Sequence, residues 1–467
     1  MRLLIISLFS FWQFTTFAQH KEFMEPIGWG GNRIELQTIT SKSKKSSCVF
    51  VQSYDSIRAF VFNSQIKVMR SFCVLIKSWE VLLGGCMRDS SVYLFTELRG
   101  IPKLHCWVLN IINGNTRESD IPFDLQNERS VTQLSAGNRF VFVTANNKIN
   151  ELTLYSFTSE GPGIPVRKRF SDAQWDDLTT GGLFKNHVKL EKIDQEGDVN
   201  PEALVKNNKV YLHNDTVLVV MNNHLDSTHV VCFDLDQYQA SGWVINHNPG
   251  QPARSTIYYS DNSFLFRDKL YYVQATYDSL KVQIVDPYSG AINKSWTTGG
   301  NEEIDYKNTS ILQEGGTRSK RDFGDLDNTS ELLKKMVNGS AVITAKPAAK
   351  DQIEIVVGSY KKVTVTTTKP AAGATMVTSA TGAPMMVPAA SVSHETWTKS
   401  AHFKSLLDAG DYTHREGEPG TSINERIERY TNNLKIPPES ENLFMNNGTY
   451  YYAYYDKGAR TLVVLKF

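Results

Sequence analysis

Short apolar runs separated by tight turns recur along most of this chain, and the stretch from Asn262 to Trp296 shows the unit most plainly. Ser263–Phe266 is a first run, and Arg267-Asp268 turns into a second, Lys269–Ala275. Tyr277-Asp278-Ser279 leads to Leu280–Val285, and Asp286-Pro287-Tyr288-Ser289-Gly290 leads to Ala291–Trp296. Pro fixes φ at the second position of that last turn and Gly frees φ near its end. Tyr, Val, Ile and Phe fill the runs, as they fill strands. The second and third runs are apolar at nearly every position, which predicts a sheet covered on both faces. The fourth carries Asn293, Lys294 and Ser295, the polarity of an exposed edge strand.

The pattern repeats. Sets of runs begin near Cys48, Glu80, Ser130, Ala203, Ser263 and Ser340, and three further strands span Asn442–Met445, Thr449–Tyr455 and Arg460–Phe467. Val92 to Phe140 and Val217 to Leu270 are each spaced by roughly 50 residues, near the ~40–50 of blade-type repeats. A four-stranded antiparallel sheet buried on both faces is a propeller blade. The reading is therefore an all-β, seven-bladed β-propeller over 34–467. Six blades is the alternative, because Cys48–Phe72 offers only three strands. The isolated strand Ile34–Thr40 is expected to close the ring as the outer member of the last blade, joining the N- and C-terminal strands. Two short helices fall in insertions between blades. Asn328 caps one with Glu331 in the capping-box position, and Ser422 with Glu425 opens the other. Insertions are read at 299–339, 369–391 and 400–438.

The N-terminus changes the picture. Arg2, the apolar Leu3–Phe14 and the small-x-small Thr16-Phe17-Ala18 form a cleavable signal peptide over 1–18, followed by an N-terminal extension at 19–33. This predicts export to a periplasmic or extracellular space. No lipid anchor is expected, for want of a Cys at the cleavage site, and no transmembrane segment in the mature chain. The five Cys (Cys48, Cys73, Cys86, Cys106, Cys232) lie mostly in apolar runs and read as free buried thiols; one disulfide among the first four is the alternative. A formal charge of +1 argues against a nucleic-acid partner.

Taken together, the four-strand sets and turn placement resemble β-propellers of the broad kelch, WD and quinoprotein-like kind, and most of all exported bacterial propellers of no assigned activity. Trp175-Asp176 does not end a third strand, so the WD signature is not reproduced, and no functional residue is carried over.

Catalytic residues are not identifiable: G-x-S-x-G, H-E-x-x-H, Walker A and G-x-G-x-x-G are all missing. Asp322, Asp325, Asp327 and Glu331 are spaced loosely like a calcium loop, without the Gly and later ligands of an EF-hand. Acids beside a helix N-terminus suit its dipole, so no metal and no cofactor is expected there. Asp194 to Asn200 is read the same way, and His224, Asp226 and His229 are read as turn residues. The segment Lys369–Ser391 is uncharged after Lys369 and carries Met376, Met385 and Met386, adaptable apolar groups of the kind found on permissive binding surfaces. These three are the expected partner-binding residues. The functional expectation is a non-enzymatic binding or scaffold protein for a protein, peptide or glycan; the alternative is a hydrolase or lyase acting on an extracellular polysaccharide.

Overall fold

The structure, a computed structural model, describes residues 20–467 except 30–33, 99–103, 122, 124, 126, 159, 180–186, 194–203, 214, 223–226, 247–258, 318–319, 322, 349–350, 379–383 and 422. Within strands, the side chains at 136, 316–317, 320–321 and 364–397 are not described. The signal peptide and the acidic stretch at 194–200 lie outside these residues, as do Asp322, His224 and Asp226. Among the described residues the strands form seven sheets. Two compact units hold them: Met1–Glu80 with Ile423–Phe467, and Val81–Ser422.

The first unit has two sheets. One is the meander Glu35–Thr40, Ser47–Gln52, Ser56–Phe62 and Val68–Leu75. Here the structure corrects the sequence reading. Glu35–Thr40 is not the outer strand of the last sheet; it pairs with Ser47–Gln52 and completes a set that had seemed to have three members. The strand that joins the C-terminal sheet is His20–Pro26, paired with Thr461–Lys466 in the stretch read as an extension. Its sequence, HKEFMEP, carries three charged residues and a histidine among its seven and is mostly exposed. An outermost edge strand needs little apolar patterning, so periodicity does not reveal it. The full order of this sheet is His20–Pro26, Thr461–Lys466, Thr449–Asp456, Glu441–Asn446. Helix Ile423–Thr431 packs Ile427 into the cluster of Leu443, Val463 and Leu465.

The second unit has five sheets. Glu80–Arg88, Ser91–Leu98, Leu104–Asn110 and Thr116–Ile121 form the first. Arg129–Ala136, Arg139–Asn146 and Glu151–Thr158 form the next, with Gly161–Pro162 and Val166–Arg169 both pairing the third strand. The helix Asp172–Leu178 follows, and it takes up Trp175. Ser171 and Gln174 make its capping box, a signal the sequence reading passed over. The third sheet is Asn208–His213, Thr216–Met221, Ser227–Asp234 and Gln239–Asn246, with Glu191–Lys192 parallel to its first strand. The fourth is Tyr259–Phe266, Lys269–Thr276, Ser279–Val285 and Ile292–Gly299, whose last strand is largely exposed as its polar residues require.

The fifth sheet departs most from expectation. Ser340–Pro347 pairs with Gln352–Thr378, which pairs with Pro384–Asp408, which pairs with Ile311–Thr317; the short Lys320–Arg321 and Gly324–Leu326 pair with Ile311–Thr317. Ile311–Thr317 and the residues 400–408 are sheet strands where insertions were read. The helix Thr329–Asn338, capped by Asn328, buries Leu332, Leu333 and Met336. All five cysteines are unpaired, and four of them, all but Cys73, are buried.

One turn recurs after the third strands of four sheets in this unit. Asn110, Asp234, Asp286 and Asp408 each accept, through Oδ1, the backbone N–H two and three residues on, at 2.8 to 3.3 Å. The fifth residue of each turn takes a left-handed φ: Gly114 (78°), Tyr238 (52°), Gly290 (76°) and Tyr412 (59°). At Gly290 a Cβ would also meet the Trp243 ring at 2.8 Å. Tyr238 is 50% exposed and sits where glycine serves elsewhere. Tyr238→Gly is therefore expected to raise stability by up to ~1 kcal/mol, read as a higher urea midpoint. A lower midpoint would show that the tyrosine contributes more than its backbone strain costs.

Candidate functional site

A set of hydrogen-bonded, mostly buried polar side chains lies where three neighbouring strands of the second unit begin. Asn208–His213 and Tyr259–Phe266 are the first strands of their sheets, and Ser340–Pro347 is the first strand of the next. Lys209 is fully buried, and its ammonium nitrogen donates to Asn262 Oδ1. Asn262 Oδ1 also accepts from the Ser263 N–H at 2.7 Å, and its Nδ2 donates to Leu204 O at 2.8 Å and Ala341 O at 2.9 Å. Every hydrogen-bonding capacity of that amide is used. Because Leu204 and Ala341 flank neighbouring sheets, one side chain ties three together. Ser260 Oγ adds a bond from Ala341 N at 2.8 Å.

On the adjacent positions a second set forms. Asp261 Oδ2 accepts from Thr228 Oγ1 at 3.1 Å and Asn222 Nδ2 at 3.2 Å. Asn222 Nδ2 reaches Thr228 Oγ1 at 2.9 Å, and its Oδ1 accepts from Ser263 Oγ at 2.8 Å. Gln274 stands opposite Asp261 in register and is buried, and its Nε2 has no hydrogen-bond partner among the described residues. Burial pushes the Lys209 ammonium down to about 7, an effect the nearby Asp261 charge partly offsets. Burial likewise pushes the Asp261 carboxyl up to about 6, against the bonds from Asn222 and Thr228 and the charge of Lys209. Both groups thus sit near their own midpoints around neutrality.

These residues were not found from sequence. The signal was present: Lys209 opens the run Val210-Tyr211-Leu212, and Asp261-Asn262-Ser263 opens Phe264-Leu265-Phe266. Polar residues directly before an apolar inner strand read as turn, although here they are the buried end of the strand. Lys209, Asn262 and Ser263 are at most 2% exposed, so the arrangement fixes sheets and holds charge rather than meeting a substrate.

The sequence-predicted residues lie elsewhere. Asp325 is exposed in the strand Gly324–Leu326, opposite Leu312. Asp327 is exposed in the bend after it. Glu331 is in the first turn of its helix and gives its backbone N–H to Asn328 Oδ1 at 3.0 Å. His229 bonds Ser227 Oγ at 3.0 Å and Gln174 Nε2 at 3.2 Å. Met376 stands opposite Met386, and Met385 opposite Val377, near the end of the hairpin Gln352–Asp408. The segment read as a loop insertion therefore has strand backbone on both sides. Ser340–Pro347 reaches no further than Tyr360 and Ile311–Thr317 no further than Lys399, so from Lys362↔Thr398 outward only these two strands pair among the described residues.

Consecutive four-stranded meanders with short turns define a class, that of β-propeller blades. No family model matches the sequence, and no curated protein matches it. Among solved structures the chain is similar to the Dos1 propeller, at 10% identity over 96% of this chain and 95% of that one, TM-score 0.32. It is similar to Hsv2 of Kluyveromyces lactis, at 10% identity over 78% and 99%, TM-score 0.30. It is also similar to the WD40 domain of SCAP from fission yeast, at 10% identity over 95% and 98%, TM-score 0.27. At such scores none of them carries an argument about activity or ligand.

Proposed function

We propose that this protein is an exported, non-enzymatic binding or scaffold propeller of seven blades, closed by His20–Pro26 on Thr461–Lys466, that docks a protein partner on its projecting hairpin. The observation that carries the reading is the two-stranded ribbon beyond Lys362 and Lys399, where no third strand pairs among the described residues. A ribbon with no third strand leaves a row of backbone N–H and C=O groups along each outer edge, which an extended segment of another protein can pair. The tip, Met376, Met385 and Met386, is uncharged and adaptable. The enclosure of Lys209 and its partners supports a structural rather than a catalytic use of the buried charges. No described helix is long and apolar enough to cross a membrane.

Replacing Lys369–Ser391 by a short Gly-Ser linker tests the reading. The expected result is an unchanged melting transition together with loss of co-purifying partners from a native extract. Retention of every partner and of the same oligomeric state would remove the proposal. Export has its own test: mass spectrometry of the protein from its native source should find Gln19 as the first residue, and an intact Met1–Ala18 would count against it.

A further inference from the structure

In the sheet Glu80–Ile121, two paired strands bring three metal-ligating side chains together. His105 on the third strand stands directly across from Asp120 on the fourth, and Glu118 lies two residues before Asp120. Side chains two apart in a strand share a face, so both carboxylates lean over the same imidazole. His105 Nε2 is 3.1 Å from Asp120 Oδ1, and Nδ1 is 3.8 Å from Glu118 Oε1. Among the described residues these form a trio with one ligand atom from each within 4.8 Å of the others. The imidazole is 5% exposed, whereas the Glu118 and Asp120 side chains are 48% and 62% exposed.

We propose that His105, Glu118 and Asp120 bind a zinc ion at the outer edge of this sheet, with water completing the coordination. The buried ring is held by the fold and supplies a nitrogen donor that needs little ordering on binding. The two carboxylates are open to solvent, which gives the ion a way in and leaves them free to close on it. Zinc takes imidazole nitrogen and carboxylate oxygen at about 2.0–2.2 Å, so its ligands stand a little over 3 Å apart, and His105 Nε2 and Asp120 Oδ1 already do. Glu118 adds the third ligand from a flexible side chain. An imidazole among the donors favours a transition metal over calcium or magnesium, which prefer oxygen alone. Without a cation the same groups make a polar contact across the strands, so the two uses of the cluster differ in their response to added metal.

Titrating the full chain with zinc chloride in a non-chelating buffer separates them. The expected result is saturable uptake of one ion per chain, weakened by at least ~100-fold in Glu118→Gln/Asp120→Asn. Both replaced side chains are largely exposed, so that variant keeps its fold, which circular dichroism verifies. His105→Ala should also lose uptake. Cobalt in place of zinc should give visible d–d bands in the wild type and none in the double variant. No uptake by the wild type at ~1 mM zinc would overturn the proposal, and so would unchanged affinity in the folded double variant.

Discussion

Deleting Arg460–Phe467 is expected to abolish cooperative folding of the unit formed by Met1–Glu80 and Ile423–Phe467. Thr461–Lys466 is no edge; it lies between His20–Pro26 and Thr449–Asp456 and pairs with both. Its side chains serve two cores by alternation. Leu462 and Val464 belong to the cluster of Val49, Val51, Phe62 and Tyr455, while Val463 and Leu465 belong to that of Ile427, Leu443 and Tyr452. All four are at most 1% exposed. Removing one such side chain typically costs ~2–5 kcal/mol, and a whole domain is stable by only ~5–15 kcal/mol. Losing all four together with two ladders of hydrogen bonds exceeds that margin. A truncated protein that melts as the full chain does would refute this, as judged by circular dichroism and urea unfolding.

Lys209→Met is expected to destabilise the second unit by ~1–3 kcal/mol at pH 7, through the hydrogen bond it removes. It frees the Asn262 oxygen of one donor and, where Lys209 is protonated, takes the nearby positive charge from the half-buried Asp261 carboxylate. Asp261→Asn in the same background should restore part of the loss, a coupling that a double-mutant cycle reads directly. The pH dependence is a second signature. The Lys209 pKa falls from 10.5 to about 7 on folding. Between those values the unfolded chain holds the extra proton, so stability rises with pH across that window and is lost as pH falls through about 7. The Asp261 pKa rises from 3.8 to about 6 on folding. There the folded chain holds the extra proton, and stability falls as pH rises across that window. Wild type should therefore gain stability from pH 7 to 9.5, and Lys209→Met should not. Equal slopes in the two proteins would show that Lys209 is already charged when buried.

Residues that meet the core from a repeating turn were legible in the sequence, and residues that meet it at a strand's entrance were not. Asn113-Gly114 and Asp286 to Gly290 announce their turns by composition, and the structure puts both in the same hydrogen-bonded form. The equivalent turns at Asp234 and Asp408 were less visible because Tyr238 and Tyr412 replace the glycine. Helix Thr329–Asn338 was readable from its cap and its apolar spacing. His20–Pro26 was not, since an edge strand needs no alternating apolar pattern and this one sets only Phe23 and Met24 side by side. The outer part of the hairpin Gln352–Asp408, from Lys369 to Ser391, was not either: its Ala, Gly and Pro have low strand propensity, and its strand state is set by cross-strand pairing that no local pattern encodes. For the buried Lys209 cluster and for His105 with its two acids, the partners come from different strands. Single-sequence periodicity reports which face a residue takes and not which residue it meets there.

The pairing of His20–Pro26 with Thr461–Lys466 has a consequence for how the chain is made. A ribosome adds roughly 5–20 residues per second, so the strand that leaves it early waits on the order of 20–90 s for its mate. Through that interval the backbone of His20–Pro26 has no strand to pair with, and any factor that keeps it from a wrong neighbour would act during synthesis, before the last strand has emerged.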